Sequence, residues 1–358
     1  MEMPGFLDGT DARPDGGSFK QTAPQRVSLL KKIGAARNST VISYLTSIRD
    51  GNSVSIYDTD NRILERHLEN ARIANAKNVD LILNTHGGSG VMGWNFHTLF
   101  RDYFPNARLG VFVPYVAYSA GTQICLGCDE IVLGRSSVLG PADIAQASAI
   151  SGVLDLIGDL DKNNRINADQ KISLLLGGQN ALQIGTLYRY WKEDRRVLLS
   201  ALNSRKNPLP EKENQKIVKY FLDGVGVHNQ GIRRKEVAEA GVSFMTAIEK
   251  SGVESEIAQV FAHYANIMRL FNPLIDKRDL EADDAPVPHV IIESEYETTA
   301  AFRSGRNDRD WQTHGASFSA SDQSPEGTPD RAPINIEASV DWVAMTHEVP
   351  EPARKRRF

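Results

Sequence analysis

A serine between a predicted strand and a predicted helix is the residue of this sequence best suited to covalent chemistry. Ser119 lies within the segment Val113–Thr122, and the small residues Ala120 and Gly121 follow it. Small neighbours allow the backbone to turn sharply, which leaves a serine hydroxyl exposed at the start of the helix. The same position also suits a serine that only caps the helix. Ser119 is therefore a candidate nucleophile, with helix capping as the alternative.

A glycine loop upstream of Ser119 supplies backbone hydrogen-bond donors. Leu81–Leu83 reads as a buried strand that runs into the loop Asn84–Gly90, and this loop opens a helix. The N–H groups of such a loop point outward at the carboxyl edge of a parallel sheet, where they can hold negative charge. The loop has neither the Gly-Lys-Ser/Thr ending of a nucleotide triphosphatase nor a Gly-x-Gly-x-x-Gly pattern. An oxyanion hole is the other use of such donors.

The elements that must position these groups alternate between strands and helices. Strands are predicted at 41–48, 79–83, 109–113 and 130–133, with helices at about 63–74, 91–104 and 120–127 between them. This alternation predicts parallel strands with helices on both faces of the sheet. Further along the chain, helical patterns replace strand patterns.

Composition divides the chain into three parts. Residues 1–25 are rich in Gly, Pro and Asp, a composition that predicts a disordered arm. We also expect no signal peptide in this segment. Residues 26–275 are predicted to form one domain, with a helical insertion at about 145–222. Residues 276–358 are predicted to be a mostly disordered tail with a possible strand at 289–293.

Charge and cysteine content narrow the class of protein. The 358 residues include 41 basic and 45 acidic side chains, a net charge of −4, which argues against a dedicated partner of nucleic acids. The two cysteines, Cys125 and Cys128, fit a reducing compartment, so we expect a cytoplasmic protein. The uncharged run Leu109–Cys128 has the length of a membrane span, but polar residues interrupt it. We predict a buried strand and helix there, and no integral membrane segment.

Motifs in a fixed order resemble the serine dehydrogenase proteinase family, whose distant relatives are the Clp proteolytic subunit and signal peptide peptidase A. They are a strand ending in Gly87-Gly88, then Ser119-Ala120-Gly121-Thr122, Asp129-Glu130-Ile131 and Leu139-Gly140-Pro141-Ala142-Asp143. The resemblance covers about residues 40–145 well and extends more loosely to about 250. It implies an α/β fold of the ClpP/crotonase type, a ββα superhelix, to which the sequence patterns add a helical insertion and disordered N- and C-terminal ends. It also implies a serine peptidase.

The resemblance assigns roles to individual residues. Ser119 corresponds to the nucleophile, Asp143 to the carboxylate of the triad and His228 to the base that takes the serine proton. The N–H groups of Gly88 and Ala120 correspond to the oxyanion hole. No metal or cofactor is implied. The partners implied are a peptide or protein substrate and further copies of the same chain, because relatives form rings or trimers.

The chain departs from the family pattern in the glycine loop. The family usually has His-Thr-Pro-Gly-Gly, whereas this chain has Asn84-Thr85-His86-Gly87-Gly88. His86 is therefore a rival base or a group that faces substrate. The segment of His228 also lacks the proline expected just after the histidine.

Other readings of the sequence stay open. A degenerate triad would leave a Clp-like scaffold that binds peptide without cleaving it, and a crotonase-type acyl-CoA enzyme would use the same fold to stabilise an enolate. Cys125 and Cys128 could bind metal only with two further ligands, so we expect core side chains instead. Lys171 and Lys192 could serve as the base of a serine–lysine dyad, although charged helix faces are the simpler interpretation.

Overall fold

The structure, a computed structural model of the chain, describes most of the predicted domain. The described residues are 19, 21–49, 52–57, 59–88, 90–142, 167, 169–170, 173, 181–224, 231–271, 287–304 and 308–315. All of them lie in one unit of the chain, Met1–Ala316.

The helices and strands of the described residues follow in chain order. The helices are α1 Ala23–Arg37, α2 Asp60–Ile73, α3 Gly90–Tyr103, α4 Ala120–Leu126, α5 Ala181–Asn203, α6 Glu211–Asp223, α7 Arg234–Glu239 and α8 Glu254–Ile267. The strands are β1 Thr40–Thr46, β2 Ile48–Arg49, β3 Asn52–Ser53, β4 Val79–Asn84, β5 Leu109–Val113, β6 Val116–Ala117, β7 Glu130–Leu133, β8 Val138–Leu139, β9 Ile232–Arg233, β10 Met245–Ala247, β11 Pro288–Ser294, β12 Glu297–Ser304 and β13 Asp308–Gly315.

The predicted parallel sheet forms the centre of the fold. Its strands run in the order β10-β7-β5-β4-β1-β11-β12-β13, and the first five of these pair in parallel. Every residue of β1, β4 and β5 is buried, as expected for strands covered by helices on both faces. The uncharged run from Leu109 to Cys128 forms β5, β6 and α4 inside this core, which confirms the predicted buried strand and helix.

The sheet continues beyond residue 275, where the sequence prediction ended the domain. β11, at the position of the possible strand 289–293, pairs antiparallel with β1 and places Ile291 opposite Leu45. β12 and β13 then extend the sheet. An open edge of β1 would expose unpaired backbone groups, and β11 covers that edge. Which edge is open depends on the folded sheet, so the composition of the tail does not reveal this pairing.

The N-terminal helix is tied to β11 by a buried ion pair. α1 begins at Ala23, within the segment that composition assigned to a disordered arm. Arg26 donates to both carboxylate oxygens of Glu293, at 2.8 and 2.9 Å, and both side chains are fully buried. The Tyr264 hydroxyl of α8 lies 2.7 Å from the same carboxylate. α1, α8 and β11 therefore pack as one structure.

A small second sheet gathers the segments that follow the parallel strands. β6 pairs in parallel with β8, and β8 pairs antiparallel with β9. A single bridge joins Thr85, just after β4, to Ala117 of β6. The segments after β4, β5 and β7 thus meet at the carboxyl edge of the large sheet, together with the segment that leads into α7.

The helical insertion is described over its second half. Side chains of α5 and α6, among them Leu198 and Phe221, join the hydrophobic core around the parallel sheet. Of the predicted insertion at about 145–222, residues 145–166, 168, 171–172 and 174–180 lie outside the described residues. In the part of the chain that the structure describes, no helix combines the length and the apolar content needed to cross a membrane.

Candidate active site

Ser119 stands at a strained turn immediately before α4. Its φ and ψ are 50° and −116°, in a region that residues other than glycine rarely adopt. The turn is held on both sides, because the Ser119 N–H donates to Pro141 O and Ser119 O accepts from the Gln123 N–H, each at 3.1 Å. The Ser119 hydroxyl makes no capping bond to α4. The helix-capping alternative is thus not seen, and the geometry is that of a sharp turn that presents a hydroxyl.

The glycine loop lies directly against Ser119. Gly87 has a φ of 95°, and its N–H donates to Thr85 Oγ1 at 2.9 Å. A Cβ atom on Gly87 would lie 2.5 Å from Tyr118 O and 2.8 Å from Ser119 Cβ, closer than real contacts allow. Only glycine therefore permits this approach between the loop and the serine turn.

The next residue of the loop is equally confined. Ile56 N donates to Gly87 O at 2.8 Å, and a Cβ atom on Gly88 would overlap the backbone N and O of Ile56. In the described residues, neither the N–H of Gly88 nor that of Ala120 is bonded to an acceptor. Two backbone donors near the serine turn are thus without an acceptor among the described residues.

His86 lies on the rim of this turn. Its ring stacks on Tyr118, with ring centroids 5.7 Å apart and planes inclined by 13°. Its Nδ1 lies 3.1 Å from Ser53 Oγ, and no hydrogen bond between described atoms joins its ring to Ser119. Partial desolvation lowers the pKa of His86, so its neutral form is favoured. A rival base and a group that faces substrate both stay predictions for His86.

The other two triad candidates, Asp143 and His228, lie outside the described residues. Their described neighbours border the serine turn. The N–H of Ala142, the residue before Asp143, donates to Phe221 O of α6 at 3.0 Å. Gly231, which follows His228 by three positions, packs on Val138 and near the Tyr118 hydroxyl.

The remaining candidates of the sequence stand apart from this turn. Cys125 and Cys128 are free thiols within the core, and burial raises the pKa of both, which confirms them as core side chains. Lys192 is exposed on α5, with its Nζ 4.8 Å from the Tyr188 ring centroid, and Lys171 lies outside the described residues. Among the residues the structure describes, no three His, Cys, Asp or Glu side chains gather as metal ligands.

The sequence reasoning assigned no role to two polar residues of α4. Thr122 and Gln123 are buried, and their side chains hydrogen-bond to Gly140 and Ala142 respectively. The signal available in the sequence was the presence of two polar residues within a helix that is otherwise small and apolar. Such residues need partners when they are buried.

Comparison with protein families finds one match over most of the chain. A model described as ClpP-like SDH-type serine proteinase matches residues 17–254. A similar protein, MJ0137 of Methanocaldococcus jannaschii, is 24% identical over 241 residues, which cover 64% of this chain and 77% of that protein. A second protein of this organism, MJ1495, is 32% identical over 65 residues, 18% of this chain and 22% of that protein.

Solved structures show weaker similarity. A serine-to-alanine mutant of the 1510-N membrane-bound stomatin-specific protease has a TM-score of 0.37 and 14% identity, over 56% of this chain and 79% of that chain. ClpP1 of Listeria monocytogenes has a TM-score of 0.33 and 13% identity, over 61% and 94%. A putative enoyl-CoA hydratase of Streptomyces coelicolor has a TM-score of 0.33 and 13% identity, over 68% and 80%.

The family match spans the glycine loop, the serine turn and the parallel sheet that positions them. Because it covers well over half of the 358 residues, this chain belongs to the family of ClpP-like SDH-type serine proteinases.

Proposed function

We propose that this protein is a serine endopeptidase that cleaves peptide bonds through an acyl-enzyme on Ser119. The observation that carries the proposal is the Ser119 turn itself. A strained serine with no capping bond lies at the carboxyl edge of a parallel sheet, in contact with a glycine loop in which the Gly88 N–H has no acceptor among the described residues. Strain of this kind is kept where it serves a function.

In the proposed mechanism His228 accepts the Ser119 proton as the hydroxyl oxygen attacks the substrate carbonyl. The N–H groups of Gly88 and Ala120 hold the negative charge that develops on the carbonyl oxygen. His228 then returns the proton to the leaving amine, and water hydrolyses the acyl-enzyme in a second cycle of the same steps. Asp143 holds His228 in the correct tautomer and stabilises its charged form.

Chain connectivity supports the roles proposed for Asp143 and His228, which lie outside the described residues. Asp143 is bonded in sequence to Ala142, and the preceding residue, Pro141, accepts a hydrogen bond from the Ser119 N–H at 3.1 Å. Three residues of chain reach at most about 11 Å, and the role proposed for His228 is compatible with that reach from Gly231. Gly231 in turn lies beside Tyr118, the residue before Ser119.

We also propose that the chain assembles into a homo-oligomer, as the family resemblance implies. A monomer mass in light scattering at micromolar concentration would contradict this. A cytoplasmic location is a further proposal, supported by the two free cysteines in the core.

Covalent labelling tests the nucleophile. A fluorophosphonate probe should label the intact protein at Ser119, located by mass spectrometry of its peptides, and Ser119→Ala should abolish both labelling and peptide hydrolysis. Ser136→Ala removes an exposed serine after β7 and should label like the wild type. Full hydrolysis by Ser119→Ala would overturn the proposal. Binding of an acyl-CoA thioester by such a variant would favour the crotonase-type alternative.

A second set of variants tests the other two roles. His228→Ala and Asp143→Asn should each lower kcat/KM by at least about 10³-fold. His263→Ala on α8 and Asp102→Asn on α3 change the same residue types elsewhere and should leave kcat/KM unchanged. If His86→Ala abolishes hydrolysis while His228→Ala does not, His86 is the base.

A further inference from the structure

The helix that begins after Ser119 holds the segment 140–142 through buried polar side chains. Gln123 Nε2 donates to Ala142 O at 2.9 Å, and Thr122 Oγ1 accepts from the Gly140 N–H at 3.0 Å. Both side chains are essentially inaccessible to solvent. With the bond from the Ser119 N–H to Pro141 O, three consecutive residues of the segment are bonded to the serine turn and its helix.

Gln123 also contacts the helix that follows the glycine loop. A Cβ atom on Gly93 of α3 would lie 2.8 Å from Gln123 Cβ and from its Oε1. The first residue of α3, Gly90, lies within van der Waals contact of the same side-chain amide if given a Cβ atom. One side chain thus packs between the serine helix, the helix of the glycine loop and the segment that leads to Asp143.

The Gln123 side chain is not optimal for stability alone. Its Oε1 is buried and has no hydrogen-bond partner among the described residues. An unsatisfied buried acceptor costs free energy, and an apolar side chain of the same length would avoid that cost at Oε1 but would leave Ala142 O without its donor. The Nε2 donor to Ala142 is therefore the property that distinguishes glutamine from such a side chain.

We propose that Gln123 is a positioning residue for the carboxylate of Asp143, an inference that rests on the proposed triad. Ala142 O belongs to the peptide unit that joins Ala142 to Asp143, so the bond from Gln123 fixes the plane of that unit. The Ala142 N–H is held from the other side by Phe221 O at 3.0 Å. Gln123 therefore holds Ala142, the residue to which Asp143 is bonded, relative to the helix that carries Ser119.

The test compares rates of fluorophosphonate labelling at Ser119 across pH. Gln123→Met keeps the length of the side chain and removes the donor. It should lower the labelling rate by about 10- to 100-fold and shift the pH at which labelling is half-maximal. Its thermal midpoint should stay close to that of the wild type, because the variant removes the unpaired Oε1 acceptor but leaves Ala142 O without its donor. Gln215→Met, on the exposed face of α6, is the matched control and should label like the wild type.

A double-mutant cycle separates positioning from a general structural role. If Gln123 acts through Asp143, Gln123→Met should change the labelling rate of an Asp143→Asn protein by less than about 3-fold. A full additional loss in that background would overturn the inference, as would wild-type labelling by Gln123→Met alone. If Asp143→Asn itself labels at the wild-type rate, the proposed triad fails first. Should Gln123→Met not fold, Gln123→Asn keeps an amide that is too short to reach Ala142 O, and the same outcomes apply.

Discussion

At the amino ends of the parallel strands, charged side chains pair with one another in a network of four residues. Arg108 donates to both oxygens of Asp80 at 2.9 and 3.1 Å, and Arg37 bridges Asp80 and Glu130 at 3.3 and 2.5 Å. Asp80 is fully buried. Burial alone would raise the pKa of Asp80, but the hydrogen bonds and charges of Arg108 and Arg37 hold it below its ordinary value. We call these four residues the amino-edge network.

At the carboxyl ends of the same strands, the distinctive polar groups are backbone N–H donors rather than charged side chains. Ser119 is strained, Gly87 and Gly88 have positive φ, and two N–H donors have no acceptor among the described residues. One edge of the sheet therefore satisfies its polar groups and stabilises the fold. The other keeps strain and unused donors, which cost stability and suit catalysis.

The largest expected effect is on the free energy of unfolding, and it distinguishes the amino edge of the sheet from the carboxyl edge. Asp80→Asn leaves the cations of the amino-edge network with one carboxylate, and it should lower the free energy of unfolding by about 3 to 5 kcal/mol. The labelling rate of the folded protein at Ser119 should not change. Urea denaturation and labelling measure the two quantities, with the exposed Asp102→Asn as control. A tenfold slower labelling by folded Asp80→Asn would show that the edges are coupled.

A substitution in the glycine loop should instead lower activity, the property that Asp80→Asn should leave unchanged. Gly87→Ala forces a Cβ atom against Tyr118 O and Ser119 Cβ, so kcat/KM should fall by about 100-fold or more as the loop moves. Gly241→Ala is a matched control, because Gly241 has a similar φ of 91° but open space where a Cβ atom would be. It should show the cost in stability without the loss of activity. Equal kcat/KM for the two variants would mean that the contact with Ser119 is not needed.

Acid should destabilise the fold through His97 and through Asp80, in different pH ranges. His97 of α3 is buried, with its Nε2 3.2 Å from Gln123 O of α4, and desolvation lowers its pKa to about 4. Its ordinary pKa is about 6.5, so only the unfolded chain gains this proton as pH falls from 6.5 to 4. By linkage, this histidine should lower the free energy of unfolding by about 2 kcal/mol between pH 7 and pH 5. Folding lowers the pKa of Asp80 as well, but from a lower ordinary value, so the stabilisation it contributes should be lost only below about pH 4.

Replacing His97 isolates this effect. His97→Gln should flatten the decrease in stability between pH 7 and pH 5, as measured by urea denaturation, while His263→Gln on α8 should flatten it less. His67 on α2 is a second buried histidine, whose pKa desolvation lowers to about 3, so part of the decrease should persist in His97→Gln. An unchanged pH dependence would exclude His97 as a source of acid sensitivity.

The smallest expected effect concerns the strain at Ser119. Glycine tolerates a φ of 50°, whereas alanine retains the strain. Ser119→Gly should therefore be more stable than Ser119→Ala by about 1 kcal/mol in urea denaturation. At Ser136, the corresponding Gly and Ala variants should show no such gain for glycine. A Ser119→Gly protein no more stable than Ser119→Ala would place the strain elsewhere.

Local patterns in the sequence were sufficient for much of the fold. Alternating strand and helix signals located four of the five parallel strands, all but β10, and the small residues around Ser119 indicated its sharp turn. The buried positions of Cys125 and Cys128 followed from their place in an uncharged run. These features depend on neighbours a few positions apart, which is the range over which residue periodicity carries information.

Contacts between distant segments were decided only by the tertiary structure. Arg26 and Glu293 are 267 positions apart, and no local pattern indicates that they share a buried site. The same holds for β11 beside β1, for Gly87 against Ser119 and for Gln123 beside Ala142 O. In each case two conditions decide which distant segment a residue contacts. One is which surface the packed sheet leaves open, and the other is how closely two backbones can approach. The sequence by itself thus determined the order of the elements and the candidate serine, whereas the packed sheet decided what surrounds that serine.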